Sequence, residues 1–259
     1  MRILVTNDDG IHAPGLAIAE RIARRLCDDV WVVAPETEQS GASHSLTLAL
    51  PLRLRKIDPR RFAVTGTPTD CVMMAIAELM AEARPTLVLS GVNRGSNLAD
   101  DITYSGTIAG AMEGTALGVS SIALSQAYGF GAGRDVDWSC AETHGPPLIE
   151  NLVAIGWPAD VLMNINFPDG GASSVQGIEV TEQGKRDLQT AMLDRRIDAR
   201  GIPYYWIGFK RGRSDPPEGT DLNAIYRRRI SVTPLHLNLT EFRERDRLKA
   251  MLNNQSVSA

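Results

Sequence analysis

The sequence predicts an α/β fold: a doubly wound, mostly parallel, Rossmann-like sheet with a C-terminal extended arm or hairpin and a terminal helix. Five short apolar runs occur in the first 168 residues, and segments with helical spacing of apolar residues lie between several of them. The last three of these runs each end in a polar or glycine-bearing turn. Continuous apolar runs are typical of strands that are buried on both faces of a parallel sheet, so we expect helices on both sides.

The first unit is a strand, a helix and a second strand within residues 1–34. Apolar runs at 3–5 and 30–34 predict the two strands, and Pro35 ends the second. Between them, Pro14 suits the first turn of a helix. Apolar residues then recur at helical spacing: Leu16, Ala19, Ala23 and Leu26. This length fits a right-handed crossover between parallel strands.

The next elements are less regular. Residues 45–65 alternate apolar with polar or basic side chains, which predicts an exposed hairpin or mixed extension. Helices are predicted at about 70–83 and at 108–117, where small residues permit close packing on the sheet. Further core strands are predicted at 86–89, 121–124 and 161–165. Glycine and proline are frequent at 128–147, which predicts a loop.

The character of the chain changes after Pro168. Residues 175–209 are polar with scattered β-branched and aromatic side chains, 210–220 are charged and rich in proline and glycine, and 240–252 predict a terminal helix. We therefore expect residues 1–168 to form a Rossmann-like catalytic core. Residues 169–259 would form an arm and helix for oligomerisation within the same domain.

Composition excludes several classes of protein. Lys and Arg number 27 against 31 Asp and Glu, a net charge of −4, so no overall basic surface favours a nucleic acid duplex or an anionic membrane. The three cysteines are odd in number and far apart, which argues against a disulfide framework. With neither a signal-peptide pattern nor a bilayer-length apolar run, we expect a cytoplasmic protein that does not insert into a membrane.

The first candidate site is Asp8 and Asp9, which follow the first predicted strand. Ligands of open parallel sheets bind outside the carboxyl ends of the strands. Two carboxylates supply hard oxygen donors suited to Mg²⁺ or Mn²⁺. Both can face one ion only if the backbone leaves the extended form, a turn that Gly10 favours. The alternative is a strand-terminating turn with solvated acids.

Two more segments follow the second and third predicted strands. Ser40 and Gly41 could offer a hydroxyl and backbone N–H groups to an ion or a phosphate. Asn93 and Asn97, within 90–97, offer neutral carbonyl ligands on a glycine-containing backbone. Each segment by itself could instead be an ordinary polar turn.

The fourth segment, Ser105, Gly106 and Thr107, precedes the predicted helix at 108–117. A hydroxyl-rich helix entrance presents free N–H donors and the positive end of the helix dipole, which suits a phosphate. Either hydroxyl could instead be only an N-cap. Because all four segments would share one rim of the sheet, they predict a divalent cation beside a phosphate cradle. His12 and His44 flank these loops as possible proton donors, although polar loop positions are the preferred interpretation.

An ordered set of motifs resembles the SurE family, the stationary-phase survival proteins that act as metal-dependent 5′/3′-nucleotidases. The motifs cover nearly the full length: ILVTNDDG at 3–10, the loop from Pro35 to Gly41, GTPTDCV at 66–72, SGVNRGSN at 90–97, YSGTIAGAMEG at 104–114, NINFP at 164–168, TDLNAI at 220–225 and ISVTPL at 230–235. The NDDG motif alone would be weak evidence for the family, but the ordered set of motifs is highly specific for it.

The resemblance implies one divalent metal ion per subunit, Mg²⁺ or Mn²⁺. Its ligands would be Asp8, Asp9, Ser40 and Asn93, of which the two aspartates would be catalytic. It also implies a phosphate-facing loop at 105–107 with Asn97 nearby. A homodimer or homotetramer in which the C-terminal arm is exchanged is implied as well.

The main hypothesis is a phosphomonoesterase that hydrolyses nucleoside 5′- and 3′-monophosphates with a bound divalent cation. Attack by water and a covalent aspartyl intermediate both remain open. A receiver-like regulatory domain is an alternative, but it would need an aspartate at the end of the third strand, where this chain has Ser90, Gly91 and Asn93. A nucleotide-binding protein without turnover is the third reading.

Overall fold

The structure, a computed structural model, describes residues 1–129, 135–186, 189–211 and 215–252. Its strands are β1 (Ile3–Thr6), β2 (Val30–Pro35), β3 (Leu54–Asp58), β4 (Arg61–Val64), β5 (Leu87–Arg94), β6 (Ser120–Gln126), β7 (Val161–Phe167), β8 (Ile178–Val180), β9 (Gln189–Ile197), β10 (Pro203–Arg211) and β11 (Ile230–His236). Its α-helices are α1 (Pro14–Leu26), α2 (Pro68–Met74), α3 (Gly106–Ala116), α4 (Ser139–Ile155), α5 (Asp221–Tyr226) and α6 (Phe242–Leu252).

The main sheet has the strand order β3-β4-β2-β1-β5-β6-β7-β11-β8. Neighbouring strands from β4 to β7 in this order are all parallel. Strand β3 is antiparallel to β4, and β11 is antiparallel to β7. The predicted mostly parallel α/β sheet is therefore confirmed, and the carboxyl ends of β1, β2 and β5 meet at one edge.

Helices cover both faces of this sheet, as the apolar strands predict. Ile3 and Val5 belong to a buried cluster with the apolar residues of α1 and α4, whereas Leu4 belongs to a separate cluster with those of α2. This division follows from the two-residue period of a strand, which turns successive side chains to opposite faces. All three side chains are fully buried.

Helix α1 packs against β5 at its first turn. A Cβ atom at Gly15 would lie 1.9 Å from the carbonyl oxygen of Val92, so only glycine permits this approach of helix and strand. Pro14 occupies the predicted position in the first turn. The helix buries Leu16, Ala19 and Ala23 as predicted.

The predicted loop at 128–147 is wrong from Ser139 onward, because α4 begins there and continues through Pro146 and Pro147. Its start is supported by Asp137, whose carboxylate accepts a hydrogen bond from the N–H of Ser139 at 2.9 Å. The helix buries apolar residues against α1, and this tertiary packing outweighs the unfavourable helix propensity of Gly145, Pro146 and Pro147. Residues 130–134 of the predicted loop lie outside the described residues.

Two other predictions are confirmed with changed limits. The alternating segment forms the hairpin of β3 and β4, but β4 also pairs in parallel with β2 and buries Phe62 and Ala63. The helix predicted at 70–83 begins earlier, at Pro68, and ends in a π-helical turn at Ala75–Leu79.

The residues after Pro168 divide between the main sheet and an arm. Strands β11 and β8 extend the main sheet beyond β7, which the sequence did not predict. Strands β9 and β10 form a separate antiparallel hairpin, and α6 confirms the predicted terminal helix. The domain limit at 168 stays a prediction. None of the helices in the described ranges has the length and apolar character needed to span a membrane.

Candidate metal and phosphate site

The turn after β1 is tied to the loop after β2. The side-chain amide of Asn7 donates to the carbonyl of Gly10 at 3.0 Å, which closes the turn around the two aspartates. Gly10 has a φ of +100°, a conformation that L side chains rarely adopt. The backbone N–H of Gln39 donates to the carbonyl of Asp8 at 2.8 Å. The loop that carries Ser40 is thereby held beside Asp8.

A single cleft of about 1520 Å³ lies at this edge of the sheet. Seven of the predicted site residues line it: Asp8, Asp9, Ser40, Gly41, Asn93, Asn97 and Ser105. Gly106 and Thr107 are buried behind Asp8 rather than in the cleft wall. The fold thus brings the four predicted segments together, as the shared sheet edge requires.

Asp8 is a buried carboxylate with 4% of its surface exposed. Burial raises the pKa of the Asp8 carboxyl to about 6. The hydroxyl of Thr107 donates to its Oδ1 at 2.6 Å and opposes this rise, while the negative charge of Asp9 adds to it. Among the described residues, no basic side chain forms a salt bridge with Asp8.

Asp9 is a partly buried carboxylate whose pKa is also raised. Its Oδ2 accepts a hydrogen bond from the backbone N–H of Arg94 at 3.2 Å, which links the β1 turn to the end of β5. Burial raises the pKa of Asp9, the Arg94 N–H lowers it, and the negative charge of Glu38 raises it further. The charged forms of both carboxylates are disfavoured mainly by burial and secondarily by neighbouring negative charge, and a bound cation would offset both effects.

Ser40 and Asn93 add neutral oxygen atoms to this pair. The amide nitrogen of Asn93 donates to the carbonyl of Gly95 at 2.9 Å, which leaves its amide oxygen for a ligand. The hydroxyl of Ser40 donates to Oε1 of Glu38 at 2.8 Å and keeps its own lone pairs. The resulting set of hard oxygen donors fits Mg²⁺ or Mn²⁺. In the described part of the chain, no group of three or more His, Cys, Asp or Glu is arranged for a metal.

Helix α3 begins directly beside the carboxylates. Ser105 is its N-cap, and its hydroxyl oxygen accepts a hydrogen bond from the N–H of Ile108 at 3.1 Å. The first N–H groups of a helix have no partner within the helix, so this end can bind an anion. Both the hydroxyl and the backbone N–H of Thr107 donate to Asp8, so the role of Thr107 as a phosphate ligand stays a prediction.

Asn97 is held by a buried amide cluster that the sequence interpretation missed. Its N–H donates to Oδ1 of Asn166 at 2.8 Å, and its carbonyl accepts from the side-chain amides of Asn164 at 2.9 Å and Asn166 at 3.1 Å. Its own side-chain amide donates to the hydroxyl of Ser125 at 2.9 Å. The NINFP motif at 164–168 was the sequence signal, since it places two asparagines on one face of β7.

Asn166→Ala is expected to lower the free energy of unfolding by about 2–4 kcal/mol, since it leaves a buried N–H of Asn97 unsatisfied and removes two further hydrogen bonds, to the carbonyl of Asn97 and the amide oxygen of Asn164. The expected result is also a higher KM with less change in kcat, because Asn97 lines the cleft. Urea denaturation measures the first effect, and the exposed Asn151→Ala on α4 is the control. Equal stability of the two variants would contradict this account of the cluster.

His12 and His44 are the two possible proton donors in the loops that carry the site. The Nε2 atom of His44 lies 3.0 Å from a carboxylate oxygen of Glu113 on α3. Neither His44 nor His12 is among the residues that line the cleft. The preferred interpretation of both as polar loop residues is consistent with these positions.

The fold and the cleft define an α/β protein of the class that binds phosphorylated ligands at the carboxyl edge of a parallel sheet. The family model described as "Survival protein SurE" matches residues 3–190. The chain belongs to the SurE family.

Relatives and a solved structure agree with this assignment. A protein of Parvibaculum lavamentivorans named 5'-nucleotidase SurE is 62% identical over 240 residues, which cover 93% of this chain and 87% of the relative. One of the same name from Caulobacter vibrioides is 58% identical over 253 residues, covering 97% and 96% of the two chains. The crystal structure of the SurE protein from Aquifex aeolicus has a TM-score of 0.83 at 40% identity and covers 97% of this chain and 99% of that one.

Proposed function

We propose that this protein is a metal-dependent 5′-nucleotidase that hydrolyses nucleoside 5′- and 3′-monophosphates to nucleoside and phosphate. The observation that carries the proposal is the cleft in which Asp8 and Asp9 lie beside the N-terminus of α3. Its relatives named 5'-nucleotidase SurE support the same activity.

Four residues would hold one divalent cation per subunit, Mg²⁺ or Mn²⁺: Asp8, Asp9, Ser40 and Asn93. When bound, such a cation polarises a phosphoryl oxygen and lowers the pKa of a water molecule. The hydrogen bond from Thr107 orients the Asp8 carboxylate, and the N–H of Arg94 orients that of Asp9. These bonds hold both carboxylates in place before substrate arrives, which lowers the cost of ordering the site.

The phosphate would bind where the cleft meets the N-terminus of α3. The N–H of Gly106 and the positive end of the α3 dipole would stabilise negative charge on the transferring oxygens. The N–H of Ser105 donates instead to the carbonyl of Ile102 at 3.3 Å, and that of Thr107 donates to Asp8. Asn97 and the backbone of Gly41 line the same cleft and would contact the substrate. Since the chain carries a net charge of −4, the attraction for a phosphate dianion must arise locally.

Chelation of the metal is expected to reduce phosphate release from nucleoside monophosphates by at least ~10³-fold, because a metal-assisted step supplies several kcal/mol of the barrier reduction. A colorimetric phosphate assay with and without EDTA measures the loss, and Mg²⁺ or Mn²⁺ should restore activity. Undiminished release after exhaustive chelation would contradict the metal requirement. A well-folded protein that binds nucleotide but releases no phosphate would favour the binding-only alternative.

We further propose a homodimer or homotetramer assembled through the arm of β9 and β10. An isolated two-stranded hairpin is only marginally stable, and this one exposes large apolar side chains, among them Trp206 at 61% and Ile207 at 76%. A partner subunit would cover this surface. We expect light scattering to give a multiple of the 28.1 kDa chain mass, and a strict monomer at micromolar concentration would contradict the proposal.

A cytoplasmic location is also proposed. Cys27, Cys71 and Cys140 are all free thiols, and burial raises the pKa of the last two. Free thiols suit a reducing compartment.

A further inference from the structure

An arginine and a tyrosine form a wall of the cleft that the phosphate chemistry does not use. The guanidinium carbon of Arg94 lies 5.5 Å from the centre of the Tyr128 ring. Both residues line the cleft, Arg94 from the end of β5 and Tyr128 from the segment after β6. We call these two side chains the Arg94–Tyr128 wall.

The wall adjoins the predicted metal ligands. The backbone N–H of Arg94 donates to Asp9, so the backbone of the arginine is held at the carboxylates and the residue lines the cleft. A Cβ atom built on Gly95 would lie 3.6 Å from Cε1 of Tyr128 and 3.8 Å from the amide nitrogen of Asn93. The ring and the ligand Asn93 therefore lie against the same glycine.

The wall is open to a ligand. Tyr128 is 41% exposed, and Arg94 is also exposed. Among the described residues, the guanidinium of Arg94 forms no salt bridge, although it lies close enough to Asp9 to lower the pKa of that carboxyl. A planar cation against an aromatic ring offers a flat surface with both stacking and cation–π attraction, which any nucleobase can use.

We propose that the Arg94–Tyr128 wall is the nucleobase subsite, against which the base of a nucleoside monophosphate stacks while its phosphate lies at the carboxylates and the N-terminus of α3. This inference rests on the proposed nucleotidase function and deepens it. Since every base has a stacking face, the subsite favours nucleotides over phosphomonoesters without a base and discriminates weakly among the four bases.

The test compares Tyr128→Ala and Tyr128→Phe with wild-type protein on adenosine 5′-phosphate and ribose 5-phosphate. Loss of one base–aromatic stack is expected to raise the KM for the nucleotide about tenfold in Tyr128→Ala. The KM for ribose 5-phosphate should change less than about twofold, because that substrate has no base to stack. Tyr128→Phe keeps the stacking ring and should retain the lower KM for the nucleotide that Tyr128→Ala loses.

Equilibrium dialysis of both compounds against EDTA-treated protein gives a readout that is independent of turnover. In Tyr128→Ala, the affinity for adenosine 5′-phosphate should fall about tenfold, whereas the affinity for ribose 5-phosphate should stay the same. Equal effects on both compounds, or no effect on either, would overturn the nucleobase subsite. If wild-type protein releases no phosphate, the proposed function fails, and the dialysis still decides the subsite.

Discussion

Asp8→Asn is expected to reduce phosphate release by at least ~10³-fold while it makes the metal-free protein more stable. Activity falls because the neutral amide holds a divalent cation far less well than a carboxylate. Stability rises because the buried charge is removed, whereas the amide oxygen can still accept the hydrogen bond from Thr107. A phosphate assay with Mg²⁺ or Mn²⁺ measures the first effect, and urea denaturation in EDTA measures the second.

The pH dependence gives the sign and size of the stability effect. Burial raises the pKa of Asp8 from its ordinary value of 3.8 to about 6, so the folded protein binds more protons than the unfolded chain between these values. The stability of the metal-free protein due to this group therefore falls as the pH rises through about 4 to 6. At pH 7 the cost is about 3 kcal/mol, since each pKa unit corresponds to about 1.4 kcal/mol.

The stability of metal-free Asp8→Asn should not show this decline with rising pH. Added Mg²⁺ should stabilise the wild type but not Asp8→Asn. Asp28→Asn, at an exposed position, is the matched control and should change neither activity nor stability appreciably. A variant that is less stable than wild type in EDTA at pH 7 would show that Asp8 is not an uncompensated buried charge.

Gly106→Ala is expected to reduce metal affinity and activity by about 10²-fold, since misplacement of a reacting group by about 1 Å has effects of this size. A Cβ atom at position 106 would lie 2.7 Å from Cβ of Asp8 and 3.0 Å from its Oδ2. The carboxylate would therefore have to move away from α3. Activity as a function of Mn²⁺ concentration measures the change in apparent metal affinity.

Gly110→Ala is the matched control, one turn further along α3. Its Cβ would lie 2.7 Å from the hydroxyl of Ser90, an equally tight contact that does not involve Asp8. We expect both variants to lose stability by about 1–3 kcal/mol through overpacking, but only Gly106→Ala to lose metal affinity. A similar loss of metal affinity in both would assign the effect to general distortion of α3.

Local sequence signals predicted the elements that carry the site. The runs at 3–5 and 30–34 are apolar throughout because these strands are buried on both faces, and β1 and β2 form there. The order of strands and turns then predicted that Asp8, Ser40 and Asn93 would share an edge, and one cleft contains all three. The roles of these residues as metal and phosphate ligands stay predictions.

Local signals failed where packing outweighs propensity. The breakers at 145–147 predicted a loop, yet α4 continues through them because its apolar face is buried on α1. Strand β11 was not predicted because its place in the sheet depends on β7, some 65 residues earlier in the chain.

The sequence by itself determined the α/β class, the sheet edge that carries the acids, and the family motifs, because these depend on short-range periodicity and on residue type. Only the tertiary structure decided which side chains contact the site residues. The contact of Thr107 with Asp8, the support of Asn97 by Asn164 and Asn166, and the pairing of Arg94 with Tyr128 join residues far apart in the chain. Such contacts, and the burial that raises the pKa of Asp8, arise only when the strands and helices pack together.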